Sequence, residues 1–342
     1  MKSTLLMLML MFACVMDCSV AHAISLAAFD DERLPESAGD TPPSTLTVTF
    51  LGTTTLLFDD GVTQILVDAF LSRLPVAKVK FARIKTDRNE VERVLDEAKA
   101  DRVQAVFVSH SHYDHAFDAG YIAQRTKAPL FGTQSTLYIG RGAGLPDAQL
   151  KPLVRWQPVS VGDFEVTPVP SRHSPAYPFI NDNLGKEIRA PLKQPQRESA
   201  FVEGGTYDFL IVHGNHRMLV VSSANYERGE LYGVHAEVVF LSIGAIGTRS
   251  IAYHDRYYDN VIRCTRPSLV IPVHWDYFFV PLSGRLPALP GANTTLRYMR
   301  GRLHEDNIRM GIMQGQQKVM LFDAKSTVPS YPGPGAGCEQ RG

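Results

Sequence analysis

The feature that most constrains this 342-residue chain is the stretch VFVSHSHYDHAFDAG, residues 106–120. It places His110, His112, Asp114 and His115 directly after an apolar run that is typical of a strand buried on both faces. Because residues i and i+2 of an extended segment point to the same side, the first two histidines can share one cation. Asp114 and His115 lie where the chain turns into the next helix and can face a second cation. The alternative is a surface histidine cluster, but ligands usually bind at the carboxyl ends of such strands, so we expect a metal site.

The sequence HSHYDH resembles the H-x-H-x-D-H motif of the metallo-β-lactamase superfamily, and similar segments extend over most of residues 46–280. VTFLGTTTLLFDDGVTQILVDAF is similar to the opening hairpins of that superfamily. VTPVPSRHS is similar to the strand that delivers its third metal histidine, and VIPVHWDYF to its closing strand. The H-W-x-x-F ending looks most similar to the branch that contains ascorbate-6-phosphate lactonase and the N-acyl-phosphatidylethanolamine phospholipase D type. The resemblance implies an α/β fold, a four-layer αββα sandwich with a metal centre at one edge.

The resemblance also implies six metal ligands in two groups of three. They are, for the first metal and then the second, His110, His112 and His173, and Asp114, His115 and His274. One position departs from the family pattern, because LVVSSANYERG aligns Ala224 with the aspartate that usually bridges the two metals. Neither alanine nor a neutral serine is a good zinc ligand. The second site is therefore predicted to be weak, filled by a water, or empty.

The chemistry of the first site is complete with one metal. Three neutral imidazoles leave an open position for water, and bound zinc lowers the pKa of that water from about 15.7 to about 7. We expect the resulting metal-bound hydroxide to attack a small ester, lactone or phosphodiester. Asp114 is the expected catalytic residue, since it can orient the water or accept its proton. The expected cofactor is one or two zinc ions, with manganese or iron as other candidates.

Two other functions stay open at this point. The first is an iron-dependent redox or sulfur enzyme on the same fold, although the lack of a bridging carboxylate counts against a di-iron centre. The second is a metal-binding protein that has lost turnover, which Ala224 keeps open. The chain has 35 basic and 35 acidic residues, so its charge gives no reason to expect a nucleic-acid partner. A small-molecule substrate is the expected partner, and the sequence carries no signal for the oligomeric state.

The first 23 residues are predicted to be a signal peptide. Lys2 supplies the positive start, residues 5–15 form an apolar core, and AHA at 21–23 offers a cleavage site after Ala23. The apolar stretch is short for a membrane span. We therefore expect an exported protein, periplasmic or secreted, without a transmembrane segment after processing.

The rest of the chain divides by composition. Residues 24–44 are acidic and proline-bearing and are predicted to be a linker, and residues 325–342 a flexible Pro/Gly-rich tail. Residues 45–324 form the predicted domain, in which 175–199 is a lid-like insertion without clear periodicity. Cleavage would leave two cysteines, Cys264 and Cys338, and the sequence leaves their pairing open.

Four further residues are secondary candidates. His213 and His216 flank a Gly-Asn turn and are expected to be exposed turn residues. His254, near the start of a helix predicted over 252–264, either faces the site or packs elsewhere. Asp68 ends a predicted strand, where it either orients a ligand histidine or closes a turn.

Overall fold

The structure is a computed structural model that describes residues 25–176, 182–327 and 330–340. The predicted signal peptide lies outside these residues. Among the residues described, none of the helices has both the length and the apolar character that crossing a bilayer requires.

Two seven-stranded sheets form the centre of the fold. The first sheet contains β1 (Leu46–Phe50), β2 (Leu56–Asp59), β3 (Gln64–Val67), β4 (Val103–Phe107), β5 (Leu130–Gly132), β6 (Leu150–Pro152) and β14 (Lys318–Phe322). The second contains β7 (Val159–Val161), β8 (Phe164–Ser171), β9 (Thr206–His213), β10 (His216–Val221), β11 (Val238–Ser242), β12 (Leu269–Val273) and β13 (Arg309–Met310). Their strand orders are β14-β1-β2-β3-β4-β5-β6 and β13-β12-β11-β10-β9-β8-β7.

Each sheet joins an antiparallel half to a parallel half. In the first sheet, pairing is antiparallel from β14 to β3 and parallel from β3 to β6. In the second, it is antiparallel from β7 to β10 and parallel from β10 to β13. The parallel strands end at a common edge within each sheet, which is where such sheets place their ligands.

The two sheets pack face to face through aromatic and aliphatic side chains. Phe58 meets the ring of Phe240 at 5.5 Å between centroids, and Phe107 meets Phe209 at 5.9 Å. Strand β11 is buried along its whole length, as its apolar sequence VVFLS requires of a strand covered on both faces. The helices flank the sheets, so the expected αββα sandwich is confirmed.

Seven helices are described. They are α1 (Val76–Phe81), α2 (Arg88–Glu97), the single turn α3 (Tyr113–Ala116), α4 (Ala119–Thr126), α5 (Gln134–Gly142), α6 (Ile251–Tyr258) and α7 (Ala292–Glu305). The helix expected over 252–264 is thus α6, which begins after Ser250 because that hydroxyl accepts the N–H of Tyr253. It continues as a wider turn over Asp259–Arg263.

The segment 24–44, expected to be a linker, packs onto the domain where it is described. It forms a 3₁₀ helix over Ala27–Glu32 and buries Phe29 and Leu34. The N–H of Leu34 donates to the carbonyl of Ile312 at 3.1 Å. These apolar side chains explain the difference, because burying them stabilises a segment whose composition is otherwise polar.

The insertion at 175–199 is described at residues 175–176 and from residue 182 onward, and the latter part packs beside the first sheet. Ile188 is buried, and Gln196 exchanges both backbone hydrogen bonds with Ile84, at 2.7 and 2.9 Å. The N–H of Leu192 donates to a backbone carbonyl of α5 at 3.0 Å. This part of the insertion therefore belongs to the folded domain.

The tail at 325–342, expected to be flexible, is attached to the end of α6 where it is described. Cys338 forms a disulfide with Cys264, which answers the question that the sequence left open. The N–H of Gly335 donates to the carbonyl of Arg263 at 2.7 Å, and the Tyr331 hydroxyl donates to that of Cys264 at 2.9 Å. The covalent link and these bonds hold a segment whose composition alone predicts no structure.

Candidate metal centre

The strand ends deliver the predicted ligands to one edge of the sandwich. His110, His112, Asp114 and His115 follow β4, and Asp68 follows the neighbouring parallel strand β3. The other two ligands come from the second sheet. His173 follows β8, and His274 follows β12 directly.

The first predicted triad is brought together by the fold. His110, His112 and His173 each offer a ring nitrogen within 4.8 Å of the other two. Their ring centroids lie 4.5 to 5.0 Å apart. Nδ1 of His112 faces Nε2 of His173 at 3.1 Å. Two rings from different sheets therefore present nitrogens to one another across the site.

The remaining nitrogen of each ring is held by an oxygen. His112 Nε2 donates to the carbonyl of Asp182 at 2.7 Å, and His173 Nδ1 donates to that of Ser174 at 2.8 Å. Nδ1 of His110 lies 3.0 Å from the Ser109 hydroxyl. That hydroxyl donates to Asp68, so it accepts from the histidine. These bonds place the ring proton away from the centre in all three histidines.

A divalent cation fits the lone pairs that are left. His110 Nε2 is buried and has no hydrogen-bond partner among the described residues. The two nitrogens that face each other across the site both point lone pairs inward, an arrangement that a shared cation stabilises. Burial lowers the pKa of His110 and of His112, and it lowers that of His173 to about 3. All three rings are therefore neutral, as metal ligands must be.

The second predicted triad lies beside the first. Asp114, His115 and His274 also offer ligand atoms within 4.8 Å of one another. His274 Nε2 lies 3.1 Å from the Asp114 carboxylate, and His115 Nε2 lies 3.7 Å from it. The ring centroids of His110 and His115 are 3.9 Å apart, so the two triads are in direct contact.

Asp68 orients His115, a predicted ligand, which is one of the two roles considered for it. Its carboxylate accepts from Nδ1 of His115 at 2.7 Å and from the N–H of Ser109 at 2.8 Å. The Thr54 hydroxyl donates to it as well. The carboxylate, itself fully buried, therefore fixes the tautomer of His115 and leaves Nε2 facing the centre.

The charges in the second triad are coupled. Burial disfavours the charged ring of His115, but Asp114 and Asp68 outweigh it and raise the pKa of that histidine. Burial also disfavours the Asp114 carboxylate, but His115 and the hydrogen bond from His274 hold its pKa below the usual range. Asp114 is thus ionised, as a metal ligand or a proton acceptor must be.

Ala224 lies in a short segment that is hydrogen-bonded to the loop containing His173. The Ser223 hydroxyl accepts the N–H of Ser174 at 2.9 Å, and the Asn225 side-chain amide donates to the carbonyl of His173 at 2.8 Å. Ala224 itself is 1% exposed. Its flanking residues therefore support a ligand, while its own side chain provides no donor atom.

The remaining histidine candidates lie away from these triads. His213 is half-buried and contacts Asp60 at 3.1 Å, at the opposite ends of the strands. His216 is also half-buried, 3.0 Å from Glu237, so the expectation that both are exposed turn residues is wrong. His254 is buried against the ring of Tyr298 at 5.0 Å. Acidic partners and ring stacking, which the turn pattern does not reveal, explain these positions.

Sequence reasoning missed several groups that hold the ligands. The Asp182 carbonyl belongs to the backbone of the insertion, so its role has no side-chain signal. Thr54 lies in a run of three threonines, where nothing separates it from its neighbours. Asp276 could have been found from the sequence, because it lies two residues after the predicted ligand His274. Acidic residues near a metal ligand often orient that ligand.

Comparison with known proteins agrees with this geometry. A family model described as a β-lactamase superfamily domain matches residues 63–209, which include the motif and His173. The chain is 30% identical over 104 residues to a UPF0173 metal-dependent hydrolase of Thermoplasma volcanium, an alignment that covers 30% of this chain and 39% of that protein. It is 24% identical over 232 residues to one of Pyrobaculum islandicum, covering 68% of this chain and 84% of that protein.

One solved structure illustrates the likeness of fold. It is that of Igni18, a metallo hydrolase from the archaeon Ignicoccus hospitalis, with a TM-score of 0.50 and 17% sequence identity. The superposition covers 81% of this chain and 99% of that one. At this identity the similarity concerns the fold alone.

Proposed function

We propose that the chain is a metal-dependent hydrolase of the metallo-β-lactamase superfamily that acts on a small ester, lactone or phosphodiester. The observation that carries the proposal is the first triad, in which hydrogen bonds turn three buried lone pairs toward one point. The relatives are named as metal-dependent hydrolases, which supports the same reaction class.

The residues of the first triad would hold the cation through Nε2 of His110, Nδ1 of His112 and Nε2 of His173. When bound, a divalent cation there supplies an activated water at neutral pH and polarises a carbonyl or phosphoryl oxygen. Nitrogen ligands of this kind favour zinc, with manganese and iron as the other candidates.

Asp114 is the proposed acceptor of the proton from the attacking water. Its carboxylate is ionised and partly exposed, whereas His110 and His115 behind it are buried. A water or substrate that enters from solvent therefore meets Asp114 before it meets the buried rings. The carboxylate orients that water and accepts its proton.

The substrate side of the site combines this polar centre with an apolar wall. The half-buried ring of Phe278 packs edge-on against His274 at 5.6 Å between centroids. Asp182 of the insertion contacts His112 through its carbonyl. A small organic substrate fits such a wall, while the neutral net charge offers nothing to a nucleic acid.

Export is part of the proposal. The first 23 residues have the pattern of a signal peptide. The Cys264–Cys338 disulfide supports an oxidising compartment, since such bonds persist outside the cytosol. We therefore place the mature enzyme in the periplasm or outside the cell.

The proposal is tested by metal analysis together with a substrate panel of chromogenic esters, lactones and phosphodiesters. His112→Ala should reduce bound metal and lower kcat/KM at least about 100-fold, since a ligand of the cation is lost. His304→Ala, at an exposed histidine of α7, is the matched control and should leave both unchanged. Full activity in His112→Ala would refute the metal mechanism. A tightly bound metal without turnover on any substrate would favour the metal-binding alternative.

A further inference from the structure

A buried ion pair lies next to the second triad. Arg73 Nη1 and Asp276 Oδ2 are 2.7 Å apart, and both side chains are 0% exposed. Arg73 also donates from Nε to the carbonyl of Val280 at 2.9 Å and from Nη2 to that of Tyr277 at 3.1 Å. A buried ion pair is often no more stabilising than apolar residues of the same volume. Its presence here calls for a role other than stability.

The ion pair connects to the triad through one residue. The second oxygen of Asp276 accepts the N–H of Thr53 at 2.9 Å. The carbonyl of Thr53 accepts the N–H of His274 at 2.7 Å. Its hydroxyl reaches the carbonyl of Asp114 at 3.3 Å. Thr53 therefore touches the backbone of two of the three ligands.

The backbone around this contact is strained. Thr53, Arg73 and His274 have φ of +49°, +41° and +58°, in the left-handed region that non-glycine residues avoid. Such conformations persist only where surrounding contacts determine them. Gly52 is required next to them, because a Cβ there would lie 1.9 Å from Arg73 Nη1.

We propose that Thr53, Arg73 and Asp276 form a clamp that positions Asp114 and His274 for a second cation. The proposal rests on the proposed function, which puts a cation at the first triad, and it adds a second cation at the neighbouring triad. The clamp fixes the backbone positions of Asp114 and His274. This positioning compensates for the carboxylate that position 224 lacks. Its three members are positioning residues and touch no reacting atom.

The decisive experiment is a Co²⁺ titration of the metal-free protein, followed by visible absorbance and by metal analysis. Wild-type protein should take up two equivalents in two phases. A variant that combines Arg73→Met with Asp276→Leu removes both buried charges together, so no unpaired charge remains in the core. In this variant the Co²⁺ affinity of the first phase should be unchanged, and the Co²⁺ affinity of the second phase should fall about 10- to 100-fold.

A matched control carries Arg263→Met with Asp306→Leu, which removes an ion pair of 3.0 Å remote from the site. It should bind Co²⁺ as the wild type does. If the clamp variant does not fold, Asp276→Asn is titrated instead; it keeps the size of the side chain and leaves the charge of Arg73 without its carboxylate partner. Second-phase affinity in that variant should still fall about tenfold or more.

Rescue separates positioning from general damage. Adding Ala224→Asp to the clamp variant supplies a new ligand and should restore the second phase. An unchanged second phase in the clamp variant would overturn the proposal, and so would a wild type that binds one cation only. Neither result affects the hydrolase assignment, which fails if His112→Ala keeps its activity or if the metal-loaded protein turns over no substrate of the panel.

Discussion

At the scale of single residues, oxygen acceptors around the centre decide what the histidines can bind. Nδ1 of His173 donates to a neighbouring carbonyl, which leaves Nε2 with a lone pair. The Asp182 carbonyl has the same effect on the other nitrogen of His112. A ring with one nitrogen protonated outward is already in the form that a metal needs, so binding requires no tautomer change.

Gly244 is a residue whose lack of a side chain the site requires. A Cβ at this position would lie 2.7 Å from Nδ1 of His274 and 2.8 Å from its Cγ. Gly244→Ala should therefore displace that ring and lower the affinity for the second cation about tenfold or more. The first triad should keep its cation. Metal stoichiometry at limiting cation measures this.

Gly301→Ala is the control for that substitution. Gly301 lies in α7 with nothing within 4 Å of its added Cβ. Alanine there should raise the free energy of unfolding by about 0.5–1 kcal/mol and leave metal binding unchanged. Equal metal binding in both variants would mean that the His274 ring is not a ligand.

At the scale of elements, the interior strand β9 carries a buried carboxyl. Asp208 is 1% exposed and accepts the N–H of Ser222 at 3.3 Å. No cationic side chain of the described residues pairs with it, and burial raises its pKa from an ordinary value of 3.8 to about 8. The folded protein therefore keeps a proton on Asp208 that the unfolded chain releases above about pH 4.

This linkage predicts a pH-dependent loss of stability. A raised carboxyl pKa stabilises the fold fully below the unfolded value and loses that contribution as pH rises toward the folded value. Relative to Asp208→Asn, the wild type should lose up to about 1.4 kcal/mol per pH unit between roughly pH 4 and 8. Chemical denaturation at several pH values measures the difference. Asp101→Asn, at an exposed aspartate, is the control and should keep the wild-type slope.

At the scale of the whole molecule, the disulfide closes a long segment of chain. Cys264 and Cys338 are separated by 74 residues, a stretch that contains β12, α7 and the last strands of both sheets. Cross-linking such a loop reduces the conformational entropy of the unfolded chain, which in the entropy model is worth about 4 kcal/mol. The bond lies at the amino end of β12, whereas the ligand His274 follows its carboxyl end.

Removing this bond should lower stability without changing the site. Cys338→Ser should decrease the free energy of unfolding by about 2–4 kcal/mol, measured in urea, and leave metal stoichiometry as in the wild type. Reductant should lower the free energy of unfolding of the wild type to that of Cys338→Ser, and it should not change the value for the variant. A reductant effect of equal size in the variant would show that another group is responsible.

Much of this architecture could be predicted from local patterns. Alternation in LTVTF and the apolar run VQAVF indicate strands, and both are strands in the structure. The H-x-H spacing predicts convergence of His110 and His112 because two residues of extended chain return to the same side. Where it is described, the predicted linker packs onto the domain, since Phe29 and Leu34 find their contacts only there.

Periodicities of a few residues are enough to predict the strands and the local motif, whereas the αββα fold class was implied by the resemblance to a known superfamily. The resemblance implied that His173 and His274 join that motif, and the structure brings them there. The contact of Asp276 with Thr53 and the pairing of the two cysteines are seen in the folded protein alone. These contacts join residues tens to hundreds of positions apart. Their geometry is set by how two twisted sheets pack, and no local spacing in the chain encodes that distance.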